Sequence, residues 1–334
     1  MFLRGKIFQM LVLIAIVLII AYINAPGMFN MFNLRQIMSN ITITAIFACG
    51  ISPLLMCGGI DFSGSSVGNC AAVLLALCFQ TFTSIPWPLL IIPALILGGA
   101  IGALNAFFVL KLNLMAFIAT MAMGTVWGGL AIYAVRSVSV PIAIRAFNNL
   151  SGIFLFGYIP LFFMVAIVLI VFYSFLLMKT TFGRNVLMCG GNQVAARLAG
   201  LNPVKIRTIL FINSGVISAV GGVAYASQLR LGHPQGLTTL MPHMSAFIGS
   251  LLGGVSFFGG SGSIAGAFFG ITLINVLSYS LTSMGVDLWV NSLLNGSLLI
   301  IALTIDDITR RIRLRRLGIK SGTNSMVMPG MPSR

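Results

Sequence analysis

The sequence predicts an all-α integral membrane protein with about ten transmembrane helices and broken or re-entrant segments between two related halves. Three observations lead to this fold class. The chain of 334 residues is 58% hydrophobic, only 7% of its residues are charged, and long apolar windows follow one another along it. A soluble domain of this length needs more charged surface. A spanning helix needs about 20 apolar residues to cross a hydrocarbon core of roughly 30 Å.

Ten apolar windows meet or approach that length. They run near residues 7–24, 38–57, 65–84, 87–110, 114–135, 158–178, 208–228, 243–257, 263–284 and 289–305. The eighth is short and broken by glycine. The first is too long for the apolar region of an ordinary signal peptide, so we expect it to be retained. We expect residues 1–305 to form one transmembrane domain, and residues 306–334 to form a basic, partly disordered cytoplasmic tail.

The basic residues predict the orientation. If the N-terminus lies inside, 15 of the 19 Lys and Arg residues fall in inner segments; only Arg35, Arg136, Arg145 and Arg230 fall in outer ones. This asymmetry predicts that both termini are cytoplasmic. The net charge of +15 therefore reflects membrane topology and not a nucleic-acid site, and the run from Arg310 to Lys320 predicts contact with anionic inner-leaflet lipid.

Two segments rich in glycine and serine interrupt the apolar pattern at matching places in the two halves. Residues 58–68 read GGIDFSGSSVG, and residues 253–263 read GGVSFFGGSGS. Unwound backbone is tolerated at membrane depth only against protein or water, so a matched pair favours a transport pathway over simple close packing of helices. The candidate pathway residues are Gly58, Gly59, Asp61, Ser63, Gly253, Gly254, Ser256, Gly259 and Gly260.

Asp61 has two compatible interpretations. A carboxylate near the bilayer centre costs on the order of 2.5–3.5 kcal/mol on insertion scales, so it requires a reason. It could line the pathway, or Asp61 or Ser63 could accept hydrogen bonds from free N–H groups at the start of the next helix. The D-x-S-G-S pattern at a predicted helix start favours the cap.

Sites for covalent chemistry are not evident in the sequence. His233 and His243 lack accompanying Cys or Glu residues at metal-ligand spacing, so no metal site is predicted. No serine, histidine and acid set suggests hydrolysis, so no catalytic residue is assigned. We therefore expect a protein that is not an enzyme.

A long polar segment, residues 179–207, follows the sixth apolar window. Asn192 can cap a short helix over Gln193–Ala199, and Gly200 can end it. Such a helix carries Val194 and Leu198 on one side, together with Ala195 and Leu201. A modest apolar face of this kind suits docking in a groove of a cytoplasmic partner, and equally suits lying on lipid. The residues alone leave these two interpretations open.

This segment resembles the coupling loop of the permease subunits of bacterial ABC importers of the ribose/galactose/xylose type. Their pattern is close to T-x-x-G-R/K-x-x-x-A-x-G-G-N-x-x-A-A-x-x-x-G-[IL]-N. The matching residues are Thr181, Gly183, Arg184, Gly190, Gly191, Asn192, Ala195, Ala196, Gly200, Leu201 and Asn202. Residues 58–63 resemble the same family's G-G-I-D-L-S-V-G signature, and residues 253–263 its G-G-T-S-L-x-G-G-x-G-S. The order and spacing agree over about residues 10–305.

The resemblance implies the permease subunit of an ATP-driven importer in the bacterial inner membrane, for a monosaccharide or a related small polar solute. Its partners would be a cytoplasmic ATPase, a periplasmic solute-binding protein and a second permease copy. No P-loop occurs in this chain, so ATP and magnesium would be bound by the ATPase and this chain would bind no cofactor. The residues implied in ATPase coupling are Gly183, Arg184, Gly190, Gly191, Asn192, Ala195, Ala196, Arg197 and Gly200.

Two departures from the family pattern concern the partner and the solute. Gly64, Ser65 and Ser66 alter the usual D-L-S-V-G run, and residues 240–246 read LMPHMSA where an acidic pattern is usual. The chain thereby resembles the divergent member of importers that pair two different permeases, such as those for autoinducer-2. Homodimer and heterodimer both stay open. The alternatives for function are an ABC permease for branched-chain amino acids or nucleosides, and an ion-coupled secondary transporter.

Overall fold

The computed structural model describes residues 2–316 and is built almost entirely of helices. The α-helices are α1 (Phe2–Asn24), α2 (Met31–Met56), α3 (Gly64–Thr81), α4 (Ile91–Ala106), α5 (Ala116–Ala134), α6 (Arg145–Asn149), α7 (Leu161–Lys179), α8 (Thr181–Gly191), α9 (Gln193–Leu198), α10 (Pro203–Leu229), α11 (Gly236–Leu240), α12 (Pro242–Leu252), α13 (Ile264–Ser283) and α14 (Leu288–Arg316). A π-helical turn, Phe107–Lys111, continues α4, and short 3-10 turns lie at Pro26–Phe29 and Leu150–Gly152.

Within the described residues four strands form, each of two residues, and they lie at one end of the helix bundle. They are β1 (Val140–Pro141), β2 (Phe154–Leu155), β3 (Ile159–Pro160) and β4 (Leu231–Gly232). β1 pairs antiparallel with β4, and β2 with β3. This end also holds Arg35, whose guanidinium donates to the carbonyl of Gly157 at 2.7 Å and lies over the Phe154 ring.

Each of the ten predicted windows coincides with a helix, but they are not equally long. Within the described residues, eight helical stretches are long and apolar enough to cross a membrane, and Phe8–Asn24 is a shorter apolar helix. The prediction that residues 243–257 form a membrane-spanning helix is wrong. α12 has 11 residues, so it extends only about 16 Å, because the backbone leaves the helix after Leu252.

α2 and α10 form the centre of the bundle, whereas α5, α7 and α14 expose most of their apolar side chains. Small residues let the central helices approach closely. A Cβ on Gly98 of α4 would lie 2.4 Å from the carbonyl oxygen of Gly215 on α10, and one on Gly215 would lie 2.0 Å from the carbonyl oxygen of Gly98. Isolated glycines here serve helix packing, as in membrane bundles generally.

The last helix extends past the expected domain boundary. α14 runs to Arg316, so residues 306–316 continue a helix. Asp307 and Arg311 form an i,i+4 ion pair there at 2.7 Å. The expectation of a partly disordered tail over residues 317–334 lies outside the described residues.

Candidate functional site

The two segments rich in glycine and serine, residues 58–68 and 253–263, are here called the first and second broken segments. Each follows a helix, and the two helices end in the same way. α2 ends in a Schellman motif, in which Gly59 N–H donates to Leu54 O at 2.9 Å and Gly58 N–H donates to Leu55 O at 2.8 Å. Gly58 takes φ +72°, a conformation that favours glycine. This closure explains the glycine at position 58, and the chain that follows it leads to Asp61, which is buried inside the bundle.

α12 ends in the same way. Gly254, at φ +93°, donates to Leu251 O at 2.9 Å, and Val255 N–H donates to Ser250 O at 3.0 Å. In the second motif the residue with the left-handed conformation is therefore Gly254, which corresponds in structure to Gly58. The sequence motifs instead align Gly58 with Gly253. Gly253 instead packs against α13, where a Cβ would lie 2.1 Å from the carbonyl oxygen of Gly266.

The two broken segments meet each other at one end of the bundle. Gly260 N–H donates to the carbonyl oxygen of Met56, the last residue of α2, at 2.8 Å. A Cβ on Gly259 would lie 2.8 Å from the backbone nitrogen of Gly58. The last turn of α2 and the second glycine motif are therefore in direct backbone contact.

The polar segment of residues 179–207, here called the coupling segment, packs where the end of α2 meets the second broken segment. A Cβ on Gly190 would lie 2.0 Å from Met56 O and 2.6 Å from Gly260 N, and one on Gly260 would lie 2.7 Å from Gly191 Cα. Only glycine lets these three backbone stretches approach so closely. In the sequence the loop and the broken segments are separate features, but the fold joins them in one cluster, here named the glycine junction: Gly58, Gly190, Gly259 and Gly260.

α9 begins and ends at the residues that the sequence predicts. The Asn192 side chain accepts from Val194 N–H at 2.9 Å and from Ala195 N–H at 3.0 Å. At the other end Gly200, at φ +78°, donates to Arg197 O at 3.0 Å, and Leu201 N–H donates to Ala196 O at 3.0 Å. This second backbone pattern is again a Schellman motif.

The outer face of this helix pair is exposed. Within α9, Val194 is 67% and Leu198 is 86% exposed, whereas Ala196 is buried. Arg184 and Arg197 are also exposed, and a shallow groove lies between Arg197 and the start of α10. In α8, Gly183 packs closely on α7, where a Cβ would lie 2.0 Å from the carbonyl oxygen of Leu177.

Arg207 links this segment to α2. The residue is only 8% exposed, and its guanidinium donates to the carbonyl of Cys57 from Nη2 at 3.1 Å and from Nε at 3.3 Å. The Gln193 amide, oriented as its neighbours require, accepts from Nη1 at 2.9 Å and from Nη2 at 2.5 Å. A cation at a helix C-terminus contributes up to about 2 kcal/mol in partly buried geometries.

Asp61 lies deeper in the bundle and is fully buried. Its Oδ1 accepts from the Ser63 N–H at 2.9 Å and the Ser63 hydroxyl at 2.6 Å, and its Oδ2 accepts from the Ser214 hydroxyl at 2.8 Å. Ser214 is seven residues beyond Arg207 on α10, so Asp61 sits about 10 Å further into the bundle than the glycine junction. Among the described residues no cation pairs with the carboxylate, so these hydrogen-bond donors are what make its burial tolerable.

The predicted cap, in which Asp61 or Ser63 accepts from an N–H group at the start of α3, does not form. Ser63 directly precedes α3, and no side chain there accepts from a first-turn N–H of that helix. Asp61 instead closes a turn on Ser63, because an aspartate reaches the N–H two residues ahead more readily than the next helical turn. In the second half a true cap does form: the Ser263 hydroxyl accepts from Gly266 N–H at 3.0 Å.

Other helices complete the polar cluster around Asp61. Asn105 of α4 donates to the Ser63 hydroxyl at 2.8 Å and to Asp61 at 3.5 Å. His243 of α12 packs directly on Gly64, where a Cβ would lie 2.2 Å from the imidazole Cδ2. Its Nε2 and the Asn105 Oδ1 are buried without hydrogen-bond partners among the described residues. Three helices and the segment before α3 thus bring polar groups to one place inside the bundle.

Asp306 fixes the second broken segment. Its Oδ2 accepts from Phe257 N–H at 2.9 Å and from the Ser256 hydroxyl at 3.1 Å, which connects this segment to α14. Asp306, Arg207, Asn105, Ser214 and His243 are contributors that sequence analysis missed. Three of them, Asn105, Ser214 and His243, could have been noticed as polar side chains within predicted apolar windows. Their hydrogen-bond partners could not, because these depend on the fold.

Comparison with known proteins agrees with the helical architecture. Residues 33–303 match the family described as the permease component of the branched-chain amino acid transport system. The chain is 31% identical over 307 residues to the L-arabinose transport system permease protein of Escherichia coli, covering 90% of each chain.

Two further relatives are import permeases for other sugars. The chain is 29% identical to the galactose/methyl galactoside import permease protein of Haemophilus influenzae, covering 90% of this chain and 93% of the relative. It is 28% identical to the ribose import permease protein of Escherichia coli, covering 88% and 92%. These matches extend over all but the ends of the chain, so they concern the whole helical domain and not a single motif.

A subunit of this kind works with an ATPase and a periplasmic binding protein, and it transports without catalysing a reaction itself. The resemblance inferred from three motifs is therefore confirmed at the level of the family. This chain is a multi-pass inner-membrane protein that belongs to the family of ABC-importer permease components.

Proposed function

We propose that this permease imports a monosaccharide or a closely related polyhydroxylated solute by alternating access, driven by ATP hydrolysis on a separate subunit. The curated relatives are permeases for galactose, L-arabinose and ribose, which supports a sugar. The buried polar cluster around Asp61 supports the same class, because hydroxyl, amide and imidazole groups can exchange hydrogen bonds with sugar hydroxyls.

The glycine junction is the observation that carries the mechanism. The coupling segment touches the end of α2 and the second broken segment through backbone atoms, and the second segment in turn touches Gly58. A displacement of α8 and α9 by a docked ATPase would therefore move Gly58 and Gly260 together. Because packed backbones shift as units, ATP binding would alter both broken segments at once and switch the access of the pathway.

The orientation and partners follow from the charge and the exposed faces. We place both termini and the coupling segment in the cytoplasm, because 15 of 19 basic residues then lie inside. The exposed face of α9 around Val194 and Leu198 would dock into the ATPase, which would bind ATP and magnesium. The opposite end would receive solute from the binding protein.

A second permease copy would complete the pathway. α5, α7 and α14 expose long apolar faces that must be covered by lipid or by another helix bundle. The partner would be a second copy of this chain or a related permease. Two copies would place two coupling segments against the ATPase pair.

The test is uptake by the reconstituted importer. The permease, its ATPase and its binding protein are placed in proteoliposomes, and uptake of labelled ribose, arabinose, galactose and leucine is measured with ATP. We expect uptake of one sugar that requires both ATP and the binding protein. Transport of leucine alone, or uptake driven by an ion gradient without ATP, would refute the proposal.

A further inference from the structure

Arg207 holds two elements together that the proposed mechanism requires to move together. Its guanidinium contacts the carbonyl of Cys57, the residue after α2, and the side chain of Gln193, the first residue of α9. It also lies against Gly58, where a Cβ would come within 3.3 Å of Nη2. One side chain thus joins α10, α9 and the beginning of the first broken segment.

The chemistry of these contacts suits a rigid bridge. Arg207 is buried, and no carboxylate pairs with it within residues 2–316. A buried cation is costly unless its donors are satisfied, and here neutral oxygens satisfy them. A guanidinium presents five donors in one plane, so it can hold two acceptors at a defined separation, whereas a lysine ammonium is a flexible point charge.

We propose that Arg207 is a positioning residue that transmits movement of α9 to the inner end of α2. This inference rests on the proposed ATPase coupling and adds a specific side chain to it. When α9 is displaced, the guanidinium would pull the Cys57 carbonyl and with it Gly58. The glycine junction would carry the same displacement to the second broken segment, so both would respond in step.

A purely structural role gives a different expectation. If Arg207 only caps α2, its loss would reduce the yield and thermal stability of the importer. The surviving complexes would still transport as much solute for each ATP hydrolysed. The ratio of solute imported to ATP hydrolysed therefore distinguishes transmission from capping.

The experiment compares four variants of the full importer in proteoliposomes with the wild-type protein. Arg207→Met removes the bridge, Arg207→Lys keeps the charge without the planar fork, and Gln193→Ala removes only the α9 side. Lys111→Met is the control, because Lys111 is an exposed cation at the inner end whose described contact is with the Phe107 ring. Uptake, ATP hydrolysis and ATPase co-purification are measured for each.

We expect the ratio of uptake to hydrolysis to fall at least about fivefold in Arg207→Met and Gln193→Ala, within the usual range of coupling between sites. Arg207→Lys should be intermediate, and Lys111→Met should equal the wild type. Should Arg207→Met fail to assemble, Gln193→Ala decides alone, since that side chain is only half-buried.

An unchanged ratio in Gln193→Ala and in any assembled Arg207→Met importer would overturn the inference. Failure of the proposed function would look different: the wild-type protein itself would not assemble with the ATPase or would show no ATP-dependent uptake.

Discussion

The glycine junction makes a sharp prediction about two adjacent residues, Gly190 and Gly191. Both end α8, and alanine at either position meets no positive-φ strain. A Cβ on Gly190 would lie 2.0 Å from Met56 O, 2.6 Å from Gly260 N and 3.0 Å from Cys57 Cα. A Cβ on Gly191 would meet Gly260 Cα at 3.8 Å, an ordinary contact. Gly191→Ala is therefore a matched control for Gly190→Ala.

The cost can be worked from these distances. The Met56 carbonyl would have to retreat by about 1.4 Å, the difference between 2.0 Å and the 3.4 Å at which ordinary contact begins. Overpacking of this kind costs about 1–3 kcal/mol. Retreat also breaks the bond from Gly260 N–H, a further loss of about 0.5–1.5 kcal/mol. Alanine favours a helix over glycine by roughly 0.5–1 kcal/mol at either position, so this gain cancels between the two variants. They should therefore differ by the sum of the two costs, about 1.5–4.5 kcal/mol.

The assay compares the unfolding midpoints of the two variants at one scan rate in the same detergent, together with ATP-dependent uptake in proteoliposomes. Gly191→Ala should match the wild type or exceed its stability slightly, with uptake retained. Gly190→Ala should unfold at lower temperature and lose most uptake. Equal midpoints and equal uptake in the two variants would refute close backbone packing at the junction.

Three further predictions concern single side chains. Asn192→Ala removes a cap that accepts two N–H groups, so α9 should lose about 1 kcal/mol and its amides should exchange hydrogen faster; unchanged exchange would contradict the cap. Asp61→Asn places an amide N–H₂ among groups that donate to the carboxylate, so the unfolding midpoint should drop by the equivalent of about 1–3 kcal/mol, and an unaltered midpoint would argue against this network. Burial raises the pKa of the Cys189 thiol, and Arg207 offsets this only in part, so little thiolate is present at neutral pH. Maleimide should therefore label Cys189 slowly at about pH 7 and faster as the pH rises, whereas fast labelling at about pH 7 would show that the thiol is exposed.

Much of the local structure follows from the sequence because it depends on nearby residues. The ends of α9 are an example: Asn192 accepts from N–H groups two and three residues ahead, and Gly200 supplies the left-handed turn. The apolar windows likewise depend on composition over some 20 residues. Prediction fails at residues 243–257, because apolar composition does not show that the backbone leaves the helix at Gly253.

The Asp61 site shows where sequence reasoning reaches its limit. A cap was the local explanation, but the carboxylate is held chiefly by its own turn and by Ser214, 153 residues away. Asn105 and His243 join it from two other helices. No spacing rule links a connecting segment with residues on three separate helices, since their proximity depends on how the bundle packs.

The sequence by itself determined the class of this protein: apolar windows predict the helices, the distribution of basic residues predicts the orientation, and three motifs in order indicate the family. Only the tertiary structure decided that those motifs lie in contact with one another. The glycines of the coupling segment and of both broken segments touch through backbone atoms, and Arg207 ties α9 to α2. Such contacts between distant residues have no local pattern, because they are set by the packing of whole helices against each other.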